Sequence, residues 1–299
     1  MKAGFVGLGK MGFSIVRHFL ECGHEAVVFD VSQDAVTGLA EHGAQAAGSL
    51  RELVVELASP RIIWMMVPAG KPVDSTIGQF MEILEPGDVV VDGGNSHYTD
   101  SMRRAVELAE SGIHFLDAGT SGGLEGARQG ACVMIGGERS AFELVEPILK
   151  DICVDNGYAY LGPSGSGHYA KMVHNGIEYG MMQAMGEGFN LLSSSGFDFN
   201  LEEVAKVWSN GSVIRGWLME LAVRAFNKDP KLDYLSGRIA DSGEGRWTIE
   251  AALDQEVSIP VIAESLFSRY RSRSENNLSD RLVAALRHEF GGHAFSGKQ

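Results

Sequence analysis

The chain has 299 residues, comfortable for two hydrophobic cores, and its 44% apolar and 21% charged residues are the mixture of an ordinary soluble globular protein. A net charge of −14 argues against nucleic acid as a partner, and no apolar run approaches the length that spans a membrane. Three scattered cysteines (Cys22, Cys132, Cys153) show no metal or redox spacing and fit a reducing cytoplasm, and the absence of a leader-like N-terminus agrees with that expectation.

In chain order, residues 2–6 predict a strand, 10–22 a helix and 25–29 a second strand. Val- and Ile-rich runs at 61–67 and 88–91 predict buried strands, with helix-length segments at 73–84 and 101–111. Short runs at 113–116, 131–135 and 158–161 extend the sheet. Such alternation predicts a parallel sheet with helices on both faces, an α/β Rossmann-type dinucleotide-binding domain over residues 1–162. The character changes at Gly162-Pro163-Ser164-Gly165, and the rest, residues 163–299, predicts an all-α domain. Residues 166–195 predict one helix that is apolar nearly all round, hence buried in a domain or a dimer. Gly176, Gly180, Gly186 and Gly188 each weaken it by roughly 1 kcal/mol against Ala, which makes sense where something packs closely on it. Residues 200–208, 213–226, 248–255 and 259–270 predict further helices.

Gly7-Leu8-Gly9-Lys10-Met11-Gly12 has the GxGxxG pattern, weak alone but here placed between a strand and a helix. Gly7 permits the tight turn, Gly9 lets backbone approach a pyrophosphate, and Gly12 allows close helix–strand packing. The helix N-terminus offers free N–H groups to that anion. Asp30 closes the second strand, where an acidic residue takes the ribose hydroxyls and repels a 2′-phosphate, so the pattern predicts NAD over NADP.

The segment GHYAKMVHNGIEY over 167–179 is the most informative. Lys171, His174, Asn175, Glu178 and Tyr179 fall at i, i+3, i+4, i+7 and i+8, on one helix face. A solvated face with a Lys171–Glu178 surface pair is the bland reading, but Met172, Val173, Ile177, Met181, Met182 and Met185 make a freely exposed helix a poor fit. A polar stripe in an apolar helix must meet a ligand or a partner network. A partly desolvated lysine titrates low enough to shuttle a proton, and a carboxylic acid further along can deliver a second one.

Charge is unevenly spread: residues 1–162 carry 11 basic against 22 acidic side chains, and residues 163–299 carry 14 against 17. Arg269, Arg271, Arg273, Arg281 and Arg287 cluster near the end, either as a solvated helix face or as a site for an anionic small substrate.

With these motifs in view the chain resembles the 6-phosphogluconate dehydrogenases, in particular their short form of about 300 residues. The resemblance rests on GLGKMG, DGGNS at 92–96, TSGG at 120–123, GHYAKMVHNGIEYG, DSGEGRW at 241–247 and RHEFGGH at 287–293. It implies Lys171 as general base and Glu178 as general acid. It implies a sugar acid oriented by Asn95, Ser121, Gly122, Gly123, His174 and Asn175, with Asn95 also beside the cofactor. It further implies a phosphate held by Tyr179, Arg269 and Arg287, NAD as cofactor, and no metal. His293 and Arg287 would come from the C-terminal tail of a second subunit, in a homodimer or a tetramer. Asn95 and Ser121 as turn caps, and His293 as an unstructured tail residue, remain the structural alternatives. Long-form members hold phosphate with a lysine near position 246; Arg246 could replace it, or the contact could be missing. Two rival functions stay open at this point: a non-decarboxylating β-hydroxyacid dehydrogenase on a small unphosphorylated acid, and a non-catalytic NAD-binding sensor or scaffold.

Overall fold

A computed structural model describes residues 1–275 and 277–291. It divides into two compact units, residues 1–174 and 175–299, with the boundary inside one long helix.

The first unit is built on β1 (Lys2–Val6), α1 (Lys10–Glu21), β2 (Glu25–Phe29), α2 (Gln33–Ala40), β3 (Gln45–Ala46), α3 (Leu50–Val55), β4 (Ile62–Met65), α4 (Lys71–Met81), β5 (Val89–Asp92) and α5 (Tyr98–Ala109). It continues through β6 (His114–Ser121), α6 (Gly123–Gln129), β7 (Ala131–Gly137), α7 (Arg139–Ile152), β8 (Cys153–Gly162) and the start of α8 (Ser166–Ser193). The eight strands form one sheet in the order β3-β2-β1-β4-β5-β6-β7-β8. The order reverses direction at β1, between β2 and β4, which is where open α/β sheets create a crevice at the carboxyl ends of their strands. Strands β4 and β5 are buried at every residue, as parallel strands covered on both faces must be. One core lies on each face: Phe5, Phe19, Trp64 and Phe142 belong to one, and Leu53, Ile63, Phe80 and Phe115 to the other.

The α/β class agrees with the sequence expectation, with one difference. β7 runs antiparallel to β6, and β8 runs parallel to β7, so the sheet is mixed. A short apolar run carries no information on strand direction, whereas the 9-residue link between β6 and β7 is too short for a parallel crossover. Helices α2, α3, α6 and α7 are additional to those expected; α7 holds Pro147 in its interior, which breaks the usual helical signature.

In the second unit α8 continues, followed by α9 (Leu201–Ser209), α10 (Trp217–Lys228), α11 (Glu244–Asp254), α12 (Pro260–Ser272) and α13 (Leu278–Gly291). α9 is capped by Asn200, whose side chain accepts from the Glu203 N–H at 3.2 Å. α10 starts at Trp217, four residues later than expected, because Gly216 with φ +154° precedes it. α11 starts a turn earlier, after Gly243 in the left-handed region, and so takes Glu244 into the helix. The core is small: Phe189, Ala205, Met219 and Phe226, with Met185, Leu192 and Trp208 packed around them. The expected burial of α8 holds only in part. Gly176 and Gly180 meet Thr248, Ile262 and Val261, but Ile177, Met181 and Leu191 are 51%, 52% and 74% exposed on the single chain. No helix among the described residues is long and apolar enough to cross a membrane.

Candidate active site

The glycine turn between β1 and α1 is shaped by backbone contact. Gly7 has φ +90°, and a Cβ there would stand 2.6 Å from the Met66 carbonyl carbon; one on Gly12 would run into the Gly7 carbonyl oxygen. A Cβ on Gly9 would meet no atom within 4 Å, so that side of the turn is open. Gly9 caps α1 without any side-chain hydrogen bond, leaving the first N–H groups of the helix to an outside acceptor. Leu8 is buried, Met11 half-buried and Lys10 exposed. The Asp30 carboxylate is already fixed, accepting the Leu8 N–H at 2.5 Å and the Ser32 N–H at 2.7 Å. Leu8, Gly9, Lys10, Phe13, Ser14 and, from α6, Leu124 line one recess, so the GxGxxG turn and the segment after TSGG face the same space.

Asn95 lies half-buried in the loop after β5, at the carboxyl edge of the sheet. That loop is held from below. Asp92 accepts the Gly94 N–H at 3.1 Å and the Ser96 hydroxyl at 2.7 Å, and Arg104 reaches both Asp92 and Ser96. Ser121 ends β6, Gly122 turns in the left-handed region, and Gly123 opens α6. Ser121 Oγ stands 3.2 Å from His174 Nε2, so the TSGG turn and the polar stripe meet. Lys171 is half-buried with its stem over Gly119 of β6, where a Cβ would collide with it.

The other members of the stripe belong to the second unit. Asn175 is buried and donates through Nδ2 to Glu244 Oε1 at 2.8 Å; Glu178 is half-buried. Tyr179 is buried, and the Arg269 guanidinium stacks on its ring at 3.3 Å from the centroid while donating to the Ala240 carbonyl at 2.9 Å. A Cβ on Gly245 would come 2.6 Å from the Tyr179 ring, so the DSGEGRW segment is fitted to that stack. Arg246 pairs with Glu250 on its own helix at 2.7 Å. Arg287 is exposed on α13, and His293 lies outside the described residues.

Chemically, the stripe offers an amine and, two turns later, a carboxyl on one helix, and a guanidinium–phenol pair suited to an anion. Four buried groups that support these residues escape sequence reasoning: Arg104, Asp117, His168 and Glu244. Two of them stand inside conspicuous motifs (His168 in GHYAK and Glu244 in DSGEGRW), which is the only signal the sequence offers; their partners Gly94 and Asn175 lie 74 and 69 residues away.

Residues 2–162 match the family model described as the NAD binding domain of 6-phosphogluconate dehydrogenase, and residues 167–283 match that of the 6-phosphogluconate dehydrogenase C-terminal domain. A Bacillus subtilis protein with the provisional name 6-phosphogluconate dehydrogenase YqeC is 53% identical over 298 residues, covering all of both chains. The NAD(+)-dependent, decarboxylating 6-phosphogluconate dehydrogenase of Haloferax volcanii is 45% identical over 300 residues, covering 100% of this chain and 99% of its own. Among solved structures, 6-phosphogluconate dehydrogenase from Plasmodium falciparum superposes with a TM-score of 0.84 at 26% identity, over 100% of this chain and 67% of that one.

Proposed function

The chain belongs to the 6-phosphogluconate dehydrogenase family, and from that membership we propose that it oxidises and decarboxylates 6-phosphogluconate to ribulose 5-phosphate and CO2 with reduction of NAD. The observation that carries the substrate is the Tyr179–Arg269 stack at the end of the polar stripe of α8: it suits a second anionic group such as a phosphate, which a small unphosphorylated acid, with its one carboxylate, does not have.

The glycine turn fits the dinucleotide. The open side of Gly9 and the uncapped start of α1 would take the pyrophosphate, with Leu8, Lys10 and Met11 around it and Gly7 and Gly12 shaping the turn. Asp30 would take the ribose hydroxyls and Asn95 would lie beside the cofactor. When bound, NAD supplies the acceptor for the hydride leaving carbon 3 of the substrate.

Lys171 takes the proton of the 3-hydroxyl as carbon 3 is oxidised. The resulting 3-keto acid holds its own electron sink, so loss of the carboxylate as CO2 leaves an enediol, and Lys171 returns its proton to the enol oxygen. Glu178 then protonates carbon 1 of the enediol while Lys171 takes back the proton from the oxygen on carbon 2, giving ribulose 5-phosphate. His174, Asn175, Asn95, Ser121, Gly122 and Gly123 orient the sugar acid, and Tyr179, Arg269 and Arg287 hold its phosphate. We take residues 1–162 as the dinucleotide-binding domain and 163–299 as the substrate and dimerisation domain. The exposed Ile177, Met181 and Leu191 then meet a second copy, whose tail supplies Arg287 and His293; pairing of dimers into a tetramer and a cytoplasmic location belong to the same reading.

The test is an assay of reduced-cofactor absorbance with 6-phosphogluconate, with NAD and NADP in parallel and ribulose 5-phosphate measured in the same tubes. Turnover with NAD and one ribulose 5-phosphate per NADH is expected, and Lys171→Met should bind NAD without turnover. No turnover with either cofactor rejects the proposal.

A further inference from the structure

The geometry points to His168 as a positioning residue that holds the loop carrying Asn95 in register with Lys171. The inference rests on the reading of Asn95 and Lys171 as site residues given above.

His168 is only 2% exposed, so both of its ring nitrogens require partners. Nε2 is 3.1 Å from the Gly94 carbonyl, which can only accept, so the ring hydrogen is assigned to Nε2. In the neutral ring Nδ1 is then an acceptor, and the Ser101 hydroxyl donates to it from 2.7 Å. The backbone of the same residue is fixed too. Its N–H donates to Asp117 Oδ2 at 2.8 Å, while Asp117 Oδ1 accepts the Gly165 N–H at 2.6 Å. Asp117 is a buried residue of β6, so the first turn of α8 is bound to the sheet at a defined height.

One side chain therefore links three segments: the loop after β5 through Gly94, α5 through Ser101, and α8 through its own backbone. Asn95 follows Gly94 directly. Lys171 lies three residues beyond His168 on a regular helix, hence about one turn further along the same face. The path from the Asn95 backbone to the Lys171 backbone runs through one peptide bond, one hydrogen bond, one ring and one helical turn. The loop has little freedom elsewhere, since a Cβ on Gly93 would collide with the Trp64 indole nitrogen and one on Gly94 would stand 3.0 Å from the Val67 carbonyl. What remains adjustable is its separation from α8, and the Nε2–Gly94 bond fixes that. A histidine that merely fills the core would contribute stability but not set this spacing.

Two near-isosteric variants separate the two bonds. In His168→Gln the side-chain amide reaches the position of Nε2 and can still donate to Gly94; in His168→Asn it reaches only the position of Nδ1 and serves Ser101. Thermal midpoint, kcat, KM for NAD and for 6-phosphogluconate, and hydrogen exchange of peptides spanning residues 93–97 should be measured for both. The expected result is that His168→Gln keeps kcat within about threefold of wild type, while His168→Asn loses about 10- to 100-fold, the scale of a misplacement near 1 Å. The Asn variant should also exchange faster at residues 93–97 although the two melt alike. Equal kcat and equal exchange in the two variants overturn the inference, as does a loss of activity that tracks the folded fraction. Should wild type itself fail to oxidise 6-phosphogluconate, the functional reading falls; exchange at residues 93–97 then decides the tie by itself, faster in Asn supporting it and equal exchange refuting it.

Discussion

Arg104→Met tests the polar network under the Asn95 loop. The Arg104 side chain is fully buried and its guanidinium has four hydrogen-bond partners, Asp74 Oδ1 at 2.8 Å, Ser96 Oγ at 3.1 Å, the Gly70 carbonyl at 3.2 Å and Asp92 Oδ2 at 3.4 Å, with Asp100 Oδ2 further off at 4.0 Å. Asp92 is equally buried, so removing the cation leaves a carboxylate in the protein interior. Losing one partner of a buried pair costs about 3–5 kcal/mol. The lower end applies here, because Asp92 keeps the Ser96 hydroxyl and the Gly94 N–H, and the more exposed Asp74 keeps Arg103. A loss of about 3 kcal/mol is roughly a hundredfold in an opening equilibrium. Native-state hydrogen exchange of β4 and β5 reads that equilibrium for this part of the sheet without requiring the two units to unfold together. Protection of Ile62–Met65 and Val89–Asp92 should fall about a hundredfold in Arg104→Met, and Asp92→Asn added to it should recover part of the loss by removing the orphaned charge. Protection within threefold of wild type in a folded variant would refute the reasoning, since the ion pair would then contribute no more than the methionine's packing.

Asp30→Ala should narrow the preference for NAD over NADP, and weaken NAD itself, because the carboxylate that repels a 2′-phosphate also holds the Leu8 and Ser32 N–H groups; an unchanged ratio of the two specificity constants would show that Asp30 does not read the ribose. Arg269→Ala should raise the KM for 6-phosphogluconate at least tenfold, the effect of losing about 1.5–3 kcal/mol from one charged hydrogen-bond donor, and an unchanged KM would remove the phosphate role. Burial pushes the Cys153 thiol up from 9.0 to about 12, with Cys132 adding to the shift. A folded-state value above the unfolded one gives stability that is complete below pH 9.0 and lost as pH rises toward 12. The unfolding free energy of wild type should therefore fall more steeply than that of Cys153→Ala over this range, by about 1.4 kcal/mol per pH unit, and parallel slopes would contradict it.

Local features were readable in the sequence and distant pairings were not. The GxGxxG turn has a fixed sense because Gly7 and Gly12 sit where side chains would strike backbone, and such a demand shows in residue type alone. The polar stripe of α8 was legible because helical spacing is a local rule, and residues 171–179 do lie on one continuous helix. By contrast, nothing near Asn175 announces Glu244, and nothing near Asp74 announces Arg104, because a buried polar pair is specified by the fold that joins it. The reversal of β7 was hidden for a related reason: side chains on a covered strand look the same in either direction. The boundaries of α10 and α11 were set by Gly216 and Gly243, glycines whose positive φ appears only in three dimensions.

The reversed β7 and β8 have an evolutionary consequence. Because β8 descends the sheet, α8 begins beside the middle of β6 and climbs along it, Asp117 holding its first turn and Ser121 meeting His174. Gly167 lies so close that a Cβ would collide with the Asp117 carbonyl, so the helix cannot slide on the strand. One residue inserted between His168 and Lys171 would advance everything after it by about 1.5 Å and turn it by about 100°. Natural length variation should therefore collect before Gly165 or beyond the stripe, and residues 165–171 should keep the same count in every working member of the lineage, whatever their identities become.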